Sequence, residues 1–134
     1  MRYSRKITII NITPPKIEDV NHDLQYFGTS LGLFGLRDKD RSCYRVFVEL
    51  LKAAKMKAGL TSDELAFCLD LSRGTVVHHL NKLMDAGICI RSRGRYFLRE
   101  DNLQVVVEEL KKDLDENMKN LMHVAKEIDQ WMGI

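Results

Sequence analysis

The sequence predicts a mainly α-helical fold with one small β-hairpin. Only two prolines and eight glycines interrupt its 134 residues, so few helix breakers are present. Apolar residues recur at helical spacing in several stretches after residue 38, whereas residues 88–100 alternate between apolar and polar. The length suits one domain with a core large enough to be stable. A composition of 45% hydrophobic and 30% charged residues is typical of globular proteins.

Composition also limits the class of protein. No apolar run approaches the length of a membrane span, and the N-terminal MRYSRKITII lacks the long apolar core of a signal peptide. Cys43, Cys68 and Cys89 are odd in number and show no CxxC spacing, which argues against a disulfide framework. We therefore expect a cytoplasmic protein without membrane contact, in which all three cysteines are buried as small hydrophobic residues.

Residues 1–37 are expected to form an N-terminal strand and a connector. The segment KITIINI at 6–12 is β-branched and apolar, and it ends at two prolines, as a short strand would. The segment YFGTSLGLFGL has three glycines but lacks the Lys-Ser/Thr that follows the glycines of a phosphate-binding loop. We interpret residues 16–37 as a packed connector or a dimer contact.

A helix is predicted next, from a cap at Asp38 or Asp40 to about residue 57. Gly59 then ends it. Apolar residues recur on one face of this helix, as expected for a helix that packs on a core. That face comprises Tyr44, Phe47, Val48, Leu51 and Ala54.

Two further helices follow in close succession. Thr61 and Glu64 have the spacing of a capping box at the start of the first helix. Its inward face comprises Leu65, Ala66 and Leu69. After a short turn, Ser72 caps the second helix over residues 73–86, which Gly87 closes.

The adjacent histidines His78 and His79 raise the choice between a metal site and a DNA-reading surface. Neighbouring helical residues point about 100° apart, so the two rings diverge. Four residues on from each stand Lys82 and Leu83 rather than a second ligand, so we predict no metal at this pair. The buried stripe of the helix comprises Val76, Val77, Leu80, Leu83 and Met84. His78 falls opposite this stripe and His79 at its flank.

A helix that follows a capped helix and a short turn is the second half of a helix-turn-helix. Its exposed face is polar and basic, with small residues near the N-terminus, which suits a major groove about 12 Å wide. Predicted base or phosphate contacts are Ser72, Arg73, Thr75 and His78, and predicted backbone-phosphate contacts are Asn81 and Lys82. For any one of these residues, the alternative is a solvated helix face.

Residues 88–100 read ICIRSRGRYFLRE and predict a hairpin with Gly94 in its turn. Arg91, Arg93 and Arg95 straddle the tip, and we expect alternation to place them on a similar side, on phosphates or in a minor groove. The alternative is a hairpin whose charges serve only solubility. Residues 72–99 carry six basic side chains against one acid, a net +5, and this balance favours DNA.

The C-terminal stretch predicts one helix over residues 102–132, about 45 Å long. Residues at alternating steps of four and three form a heptad seam, in which Asn117 is the single polar member. The seam comprises Leu103, Val107, Leu110, Leu114, Asn117, Leu121, Val124, Ile128 and Trp131. Residues 101–134 carry four lysines against eight acids, a net −4. We predict a dimerisation helix; the alternative is a helix packed along its own domain.

Several of these motifs resemble the winged helix-turn-helix of ArsR-type transcriptional regulators. The matching residues are Glu64-Leu65-Ala66, Leu71-Ser72, Thr75-Val76, His78-His79-Leu80, Leu83, Ala86-Gly87-Ile88 and the basic wing from Arg91 to Arg95. The resemblance covers residues 40–100 and implies a winged helix-turn-helix domain over 38–100. It implies a homodimer built from terminal helices, here 101–134. It also implies that His79 positions the recognition helix while His78 faces DNA.

The sequence departs from this family in metal sensing. The family's arsenic and cadmium sensors pair cysteines at the start of the helix before the recognition helix, whereas here only Cys68 lies near that helix's end. Its zinc sensors use Asp/His pairs on the terminal helix, where here only His123 and Glu127 share a face. We assign no metal and no cofactor.

The sequence leaves three functions to compare. The favoured one is a homodimeric, sequence-specific regulator that binds double-stranded DNA. The alternative is a winged-helix protein–protein assembly module whose basic face is incidental. An enzyme is disfavoured because no nucleophile, base and orienting acid converge. A redox switch at Cys89, at the base of the wing, stays open.

Overall fold

The computed structural model describes residues 6–35 and 41–134, and within these ranges it contains five helices and one two-stranded antiparallel sheet. The elements are α1 (Val20–Ser30), α2 (Ser42–Lys55), α3 (Ser62–Leu69), α4 (Arg73–Asp85), β1 (Cys89–Ser92), β2 (Arg95–Leu98) and α5 (Leu103–Met132). This order confirms a mainly α-helical winged helix-turn-helix with a long C-terminal helix. None of the described helices has the length and apolar character needed to cross a membrane.

The strand predicted over residues 6–12 is wrong. This segment belongs to no described strand, and its backbone bonds lead to helix ends rather than to a sheet edge. The N–H of Lys6 donates to the carbonyl of Asp85 over 2.9 Å, and that of Ile10 donates to Ser30 over 2.7 Å. The β-branched pattern therefore marks a segment that is bonded to helix ends and contributes Ile7 to the core.

The connector predicted over residues 16–37 is not a loop, because α1 occupies its centre; the alternative, a dimer contact, stays a prediction. Asp19 caps this helix by accepting from the N–H of His22 over 2.8 Å. Gly28 lies inside the helix, where an added Cβ would stand 1.8 Å from the ring of Phe34. The glycine therefore allows close packing of an aromatic ring and does not mark a loop. Phe27 stacks on the ring of Phe47, which fixes α1 against α2.

Helix α2 begins later than predicted, at Ser42. The proposed caps Asp38 and Asp40 lie outside the described residues. The cap position is Arg41, which has a left-handed backbone with φ of 52° and no side-chain cap bond. Its guanidinium instead donates to Gln25 over 3.0 Å and stands 4.1 Å from the centre of the Tyr44 ring.

The buried face of α2 is rotated from the predicted one. Only Phe47 belongs to both faces, because α2 packs on α3, α4 and β2 together. Its buried side chains are Ser42, Cys43, Val46, Phe47 and Leu50, whereas Tyr44, Val48, Leu51 and Ala54 are partly buried.

Helices α3 and α4 form the helix-turn-helix. The capping box of Thr61 and Glu64 is confirmed, as is the Ser72 cap of α4. Leu65 and Leu69 of α3 are buried, and the same holds for three members of the stripe predicted on α4. Those members are Val76, Leu80 and Leu83, while Ala66, Val77 and Met84 are partly buried.

The three cysteines differ in exposure. Cys43 and Cys89 are buried as predicted, but Cys68 is exposed. It lies beside the Leu65–Leu69 stripe of α3, on a side that other described elements leave uncovered. The expectation for Cys68 was therefore wrong, because a short helix buries only a narrow stripe.

The long C-terminal helix is confirmed as α5, which has 30 residues. Asn102 caps it by accepting from the N–H of Val105 over 2.9 Å. Val106 and Leu110 are buried against the domain, whereas every residue from 115 to 134 is exposed. The predicted seam is therefore packed against the domain near the start of α5 and exposed to solvent beyond residue 114.

Candidate nucleic-acid interface

The start of α4 is held by its own side chains. Oγ of Ser72 accepts from the N–H of Thr75 over 3.1 Å and donates to the hydroxyl of Thr75 over 2.8 Å. Gly74 has no heavy atom within 4 Å of an added Cβ, so the surface there is open. This helix start leaves room for a large ligand to approach its backbone.

The two histidines have the division predicted for them. His78 is exposed, whereas His79 is partly buried with its Nε2 2.7 Å from Oγ of Ser42. Their ring centres are 5.5 Å apart. His79 thus ties α4 to the start of α2, while His78 extends from the surface of α4.

The remaining predicted residues of α4 differ in exposure. Arg73 is exposed and forms a loose pair with Asp63, 3.6 Å away. Asn81 is exposed, but Lys82 is partly buried beside Lys6 and Asp85 in a pocket of about 200 Å³. The basic charge on α4 therefore extends from its first turn to its last.

The hairpin places its arginines differently from the prediction. Arg91 pairs with Tyr96, and Ser92 pairs with Arg95. Cross-strand partners share a face, so Arg91 and Arg95 point to opposite faces. The prediction that the wing arginines lie on a similar side was wrong. The turn consists of two residues, Arg93 and Gly94, both with positive φ, and it places odd-numbered residues of the two strands on opposite faces.

Each wing arginine consequently has its own environment. Arg91 lies over the Tyr96 ring, 5.7 Å from its centre. Arg95 donates to the carbonyl of Gly59 over 2.9 Å and stands 3.4 Å from Glu64. Arg93 is exposed in the turn. Arg95 therefore braces the wing against the start of α3.

Sequence reasoning missed the role of Arg99. It was counted in the basic block, yet its guanidinium lies 3.1 Å from the carboxylate of Asp113 on α5 and is only 12% exposed. The pair joins the end of the wing to the C-terminal helix. No local sequence signal marks it, because the partners are far apart in the chain and belong to different elements.

Arg45 was also missed. Its guanidinium donates to the backbone carbonyl of Leu69, the last residue of α3. The contact fixes the turn between α3 and α4 from the side of α2. Like Arg99, this arginine joins two elements within the domain.

Metal and thiol chemistry receive no support at this surface. No group of three or more His, Cys, Asp or Glu side chains that could hold a metal occurs among the described residues. His123 pairs with Glu127 over 2.9 Å on α5.

Burial raises the pKa of the Cys89 thiol to about 12, with a smaller contribution from Cys43, which disfavours the redox switch.

A second surface lies on α5. Beyond residue 114 the helix is bare, and its exposed apolar side chains include Met118, Leu121, Met122, Val124, Ile128, Trp131 and Met132. Next to its first half is a groove of about 370 Å³ between the N-terminal segment, α1 and α5. The groove is lined by Ile7, Ile9, Tyr26, Phe27, Ser30, Leu31, Val107, Leu110, Lys111 and Leu114.

Comparison with known proteins bears on the helix-turn-helix. Residues 49–90 match the family model described as "Bacterial regulatory protein, arsR family". The match runs from the second half of α2 through α3 and α4 into β1. Neither the curated proteins nor the solved structures yielded a significant match.

Proposed function

We propose that this chain, a DNA-binding transcriptional regulator with an ArsR-type helix-turn-helix over residues 49–90, acts as a homodimer on a specific, pseudo-palindromic duplex. The observation that carries the proposal is the bare polar face of α4 beside an exposed basic wing tip. The family is one of regulators rather than enzymes.

Helix α4 would enter the major groove by its open N-terminal end. Arg73 and His78 are exposed at this end and Thr75 is partly exposed, so these three would reach base edges and phosphates, and the cap Ser72 would bring backbone N–H groups to a phosphate. Asn81 and Lys82 lie further along the helix, where they would reach phosphates of the flanking DNA backbone. His79 contributes indirectly, through its bond to Ser42.

The wing would lie on the DNA backbone or in a minor groove. Arg93 at the turn and Arg91 beside Tyr96 supply the phosphate contacts. Arg95 holds the wing in position through Gly59 and Glu64. Arg91 and Arg93 are therefore the proposed DNA contacts of the wing, and Arg95 holds the wing in position.

Dimerisation would use the seam on α5. A solvated apolar helix face of this length is costly, and burying it against a second copy relieves that cost. Two-fold symmetry would then present two α4 helices to successive major grooves, about one helical turn apart. Half-sites with that spacing form a pseudo-palindrome.

The test is a titration of the protein against a labelled duplex from the region upstream of its own gene, with a shuffled duplex as control, at several salt concentrations. We expect tighter binding to the first duplex and a log–log salt slope that reflects several phosphate contacts. Equal binding to both duplexes, with a steep slope, would contradict sequence-specific recognition.

A second function, assembly with other proteins, is supported by the bare apolar half of α5. In that case the protein would be monomeric alone and would show no salt-sensitive affinity for DNA. Sedimentation of the purified protein alongside the DNA titration separates the two functions.

A further inference from the structure

The apolar groove beside α5 has the lining of a small-molecule site. Eight of its ten lining residues are aliphatic or aromatic, and none of the ten is acidic. The lining runs along α5 from Val107 to Leu114, about 10 Å at the rise of an α-helix. Its volume of about 370 Å³ lies within the range of pockets that bind small ligands. The groove therefore fits an elongated apolar molecule.

Two polar groups on this lining indicate the chemistry of the ligand's head. Oγ of Ser30, on α1, is buried and has no hydrogen-bond partner among the described residues. Such a group is uncommon in a folded protein, and a ligand atom can satisfy it. Lys111, on α5, is exposed and forms no ion pair with a described residue, whereas its neighbour Lys112 pairs with Glu109 over 3.2 Å. A hydroxyl donor and an ammonium group are together complementary to a carboxylate.

We propose that the groove binds a medium-chain alkyl carboxylate. The carboxylate accepts a hydrogen bond from Ser30 and pairs with the ammonium of Lys111, while the alkyl chain lies along α5 between Val107 and Leu114. The proposed dimer contact is then confined to the bare half of α5. That half is a separate surface, because Leu121 lies about 10 Å along the helix beyond Leu114.

Residues 6–10 lie between the groove and the end of α4. Ile7 and Ile9 line the groove, whereas Lys6 and Thr8 line the pocket of about 200 Å³ beside the last turn of α4. Alternate residues of one segment thus border the ligand site and the helix proposed to read DNA. A bound ligand contacts this segment directly. Its regulatory consequence rests on the proposed function.

Two backbone hydrogen bonds hold the segment in place. The N–H of Lys6 donates to the carbonyl of Asp85, the last residue of α4, and the N–H of Ile10 donates to that of Ser30, the last residue of α1. Ile9 and Ile10 are 63% and 44% exposed, so little apolar burial supports these bonds. A ligand that covers Ile9 adds burial and stabilises the segment in its bonded position. Because DNA binds the domain with the end of α4 held in this way, ligand and DNA strengthen each other's binding.

Calorimetric titration of the full-length protein with sodium decanoate, kept below its micellar concentration, tests the site. We expect one decanoate per chain. Decanol and decyltrimethylammonium carry the same alkyl chain without the negative charge and should bind at least about tenfold more weakly. Equal binding of all three compounds would show adsorption on apolar surface and would overturn the site.

Three variants test the residues assigned to the carboxylate. Ser30→Ala removes the hydroxyl and should weaken decanoate binding about tenfold. Lys111→Gln should weaken it about threefold to fivefold, because water screens an exposed ion pair. Lys112→Gln removes the same charge from the next position of α5, outside the groove, and is the matched control. Equal weakening by the two lysine variants would overturn the assignment of Lys111.

Hydrogen exchange measures the transmission to α4 without DNA. Decanoate should slow exchange of the backbone amides of Lys6 and Ile10, whose bonds hold the segment. The same decanoate concentration should have a smaller effect in Ser30→Ala. Unchanged exchange at these two amides in the fully bound protein would overturn the transmission.

DNA titration with and without saturating decanoate separates this inference from the proposed function. We expect decanoate to tighten binding to the specific duplex about fivefold or more, and weaker binding would overturn the proposed coupling. Decanoate binding without affinity for either duplex at low salt would contradict the proposed function, while the ligand site stands. A decanoate affinity that falls as protein concentration rises would show that a second copy fills the groove, and would overturn the small-molecule site.

Discussion

At the scale of single residues, the adjacent histidines show how helix geometry separates two roles. His78 and His79 share a residue type and a helix, yet one is exposed and the other bonds to Ser42. The angle between successive helical residues is enough to predict this division. The partner on α2 was not predictable, because 37 positions separate the bonded residues.

Replacement of each histidine by alanine should therefore have different effects. His79→Ala removes the bond to Ser42 and should lower the free energy of unfolding by about 1–2 kcal/mol. His78→Ala should leave stability within about 0.5 kcal/mol and alter affinity for the specific duplex. Urea unfolding and DNA titration of both variants check this. A loss of stability in His78→Ala as large as that in His79→Ala would contradict the assigned roles.

Cys89 gives a prediction about pH. Its pKa is raised by burial to about 12 in the folded state, against an ordinary value of 9.0. The folded protein therefore keeps the thiol proton at pH values where the unfolded chain loses it. This contribution to stability is complete below pH 9 and is lost as pH rises from about 9 to about 12.

Cys89→Ala isolates that contribution from other groups that titrate at alkaline pH. We expect the free energy of unfolding to fall less steeply above pH 9 in the variant than in the parent protein. The free energy of unfolding is measured by denaturant titration at several pH values. If it falls equally steeply with pH in both proteins, Cys89 is accessible to water. Cys68, being exposed, should react with thiol reagents while native Cys89 does not.

At the scale of elements, caps and turns were predictable because their signals are local. The box of Thr61 and Glu64, the Ser72 cap and the turn at Gly94 each lie within a few residues of their partners. The N-terminal helix α1 was missed because Gly28 serves a contact with Phe34, which only the folded chain reveals. The faces on which Arg91 and Arg95 lie were mispredicted, because the facing of residues on the second strand depends on the length of the turn.

Two wing arginines allow the proposed DNA contact to be distinguished from a structural brace. Arg93→Ala should make the log–log salt slope of DNA binding less steep by about one, because one phosphate contact is lost. Arg95→Ala should change the slope less and instead lower the stability of the fold, since Arg95 bonds to Gly59 and Glu64. Salt-dependent titration with urea unfolding distinguishes the variants. An equal change of slope in both would make Arg95 a phosphate contact.

At the scale of the whole molecule, the two surfaces proposed for DNA binding and for dimerisation are separate and are joined through the domain. The proposed DNA contacts lie on α4 and the wing, while the seam lies on α5. Arg99 connects the two by its pair with Asp113. The seam was predictable from its heptads, but its division into a groove and a bare half required the packing of α1 and the N-terminal segment.

Charge placed on the bare half of α5 should abolish the dimer without unfolding the domain. Leu121→Glu combined with Ile128→Glu changes two exposed side chains, so the circular dichroism of the monomer should be preserved. We expect sedimentation to give a monomer and the preference for a two-half-site duplex to disappear.

Lys119→Glu is the matched control for this double variant. It alters the net charge by the same two units on the outer face of the helix and should leave the dimer intact. A dimer that survives Leu121→Glu with Ile128→Glu would place the interface on another face.

The separation of the seam from α4 also bears on how related regulators coexist in one cell. A copy whose seam residues differ in size or charge would leave cavities or unpaired charges in a mixed pair, so mixed pairs would be disfavoured relative to like pairs. Substitutions along α5 can therefore isolate one regulator from its paralogues while leaving its operator unchanged. Gene duplication could in this way yield independent circuits before either copy altered its DNA-reading residues.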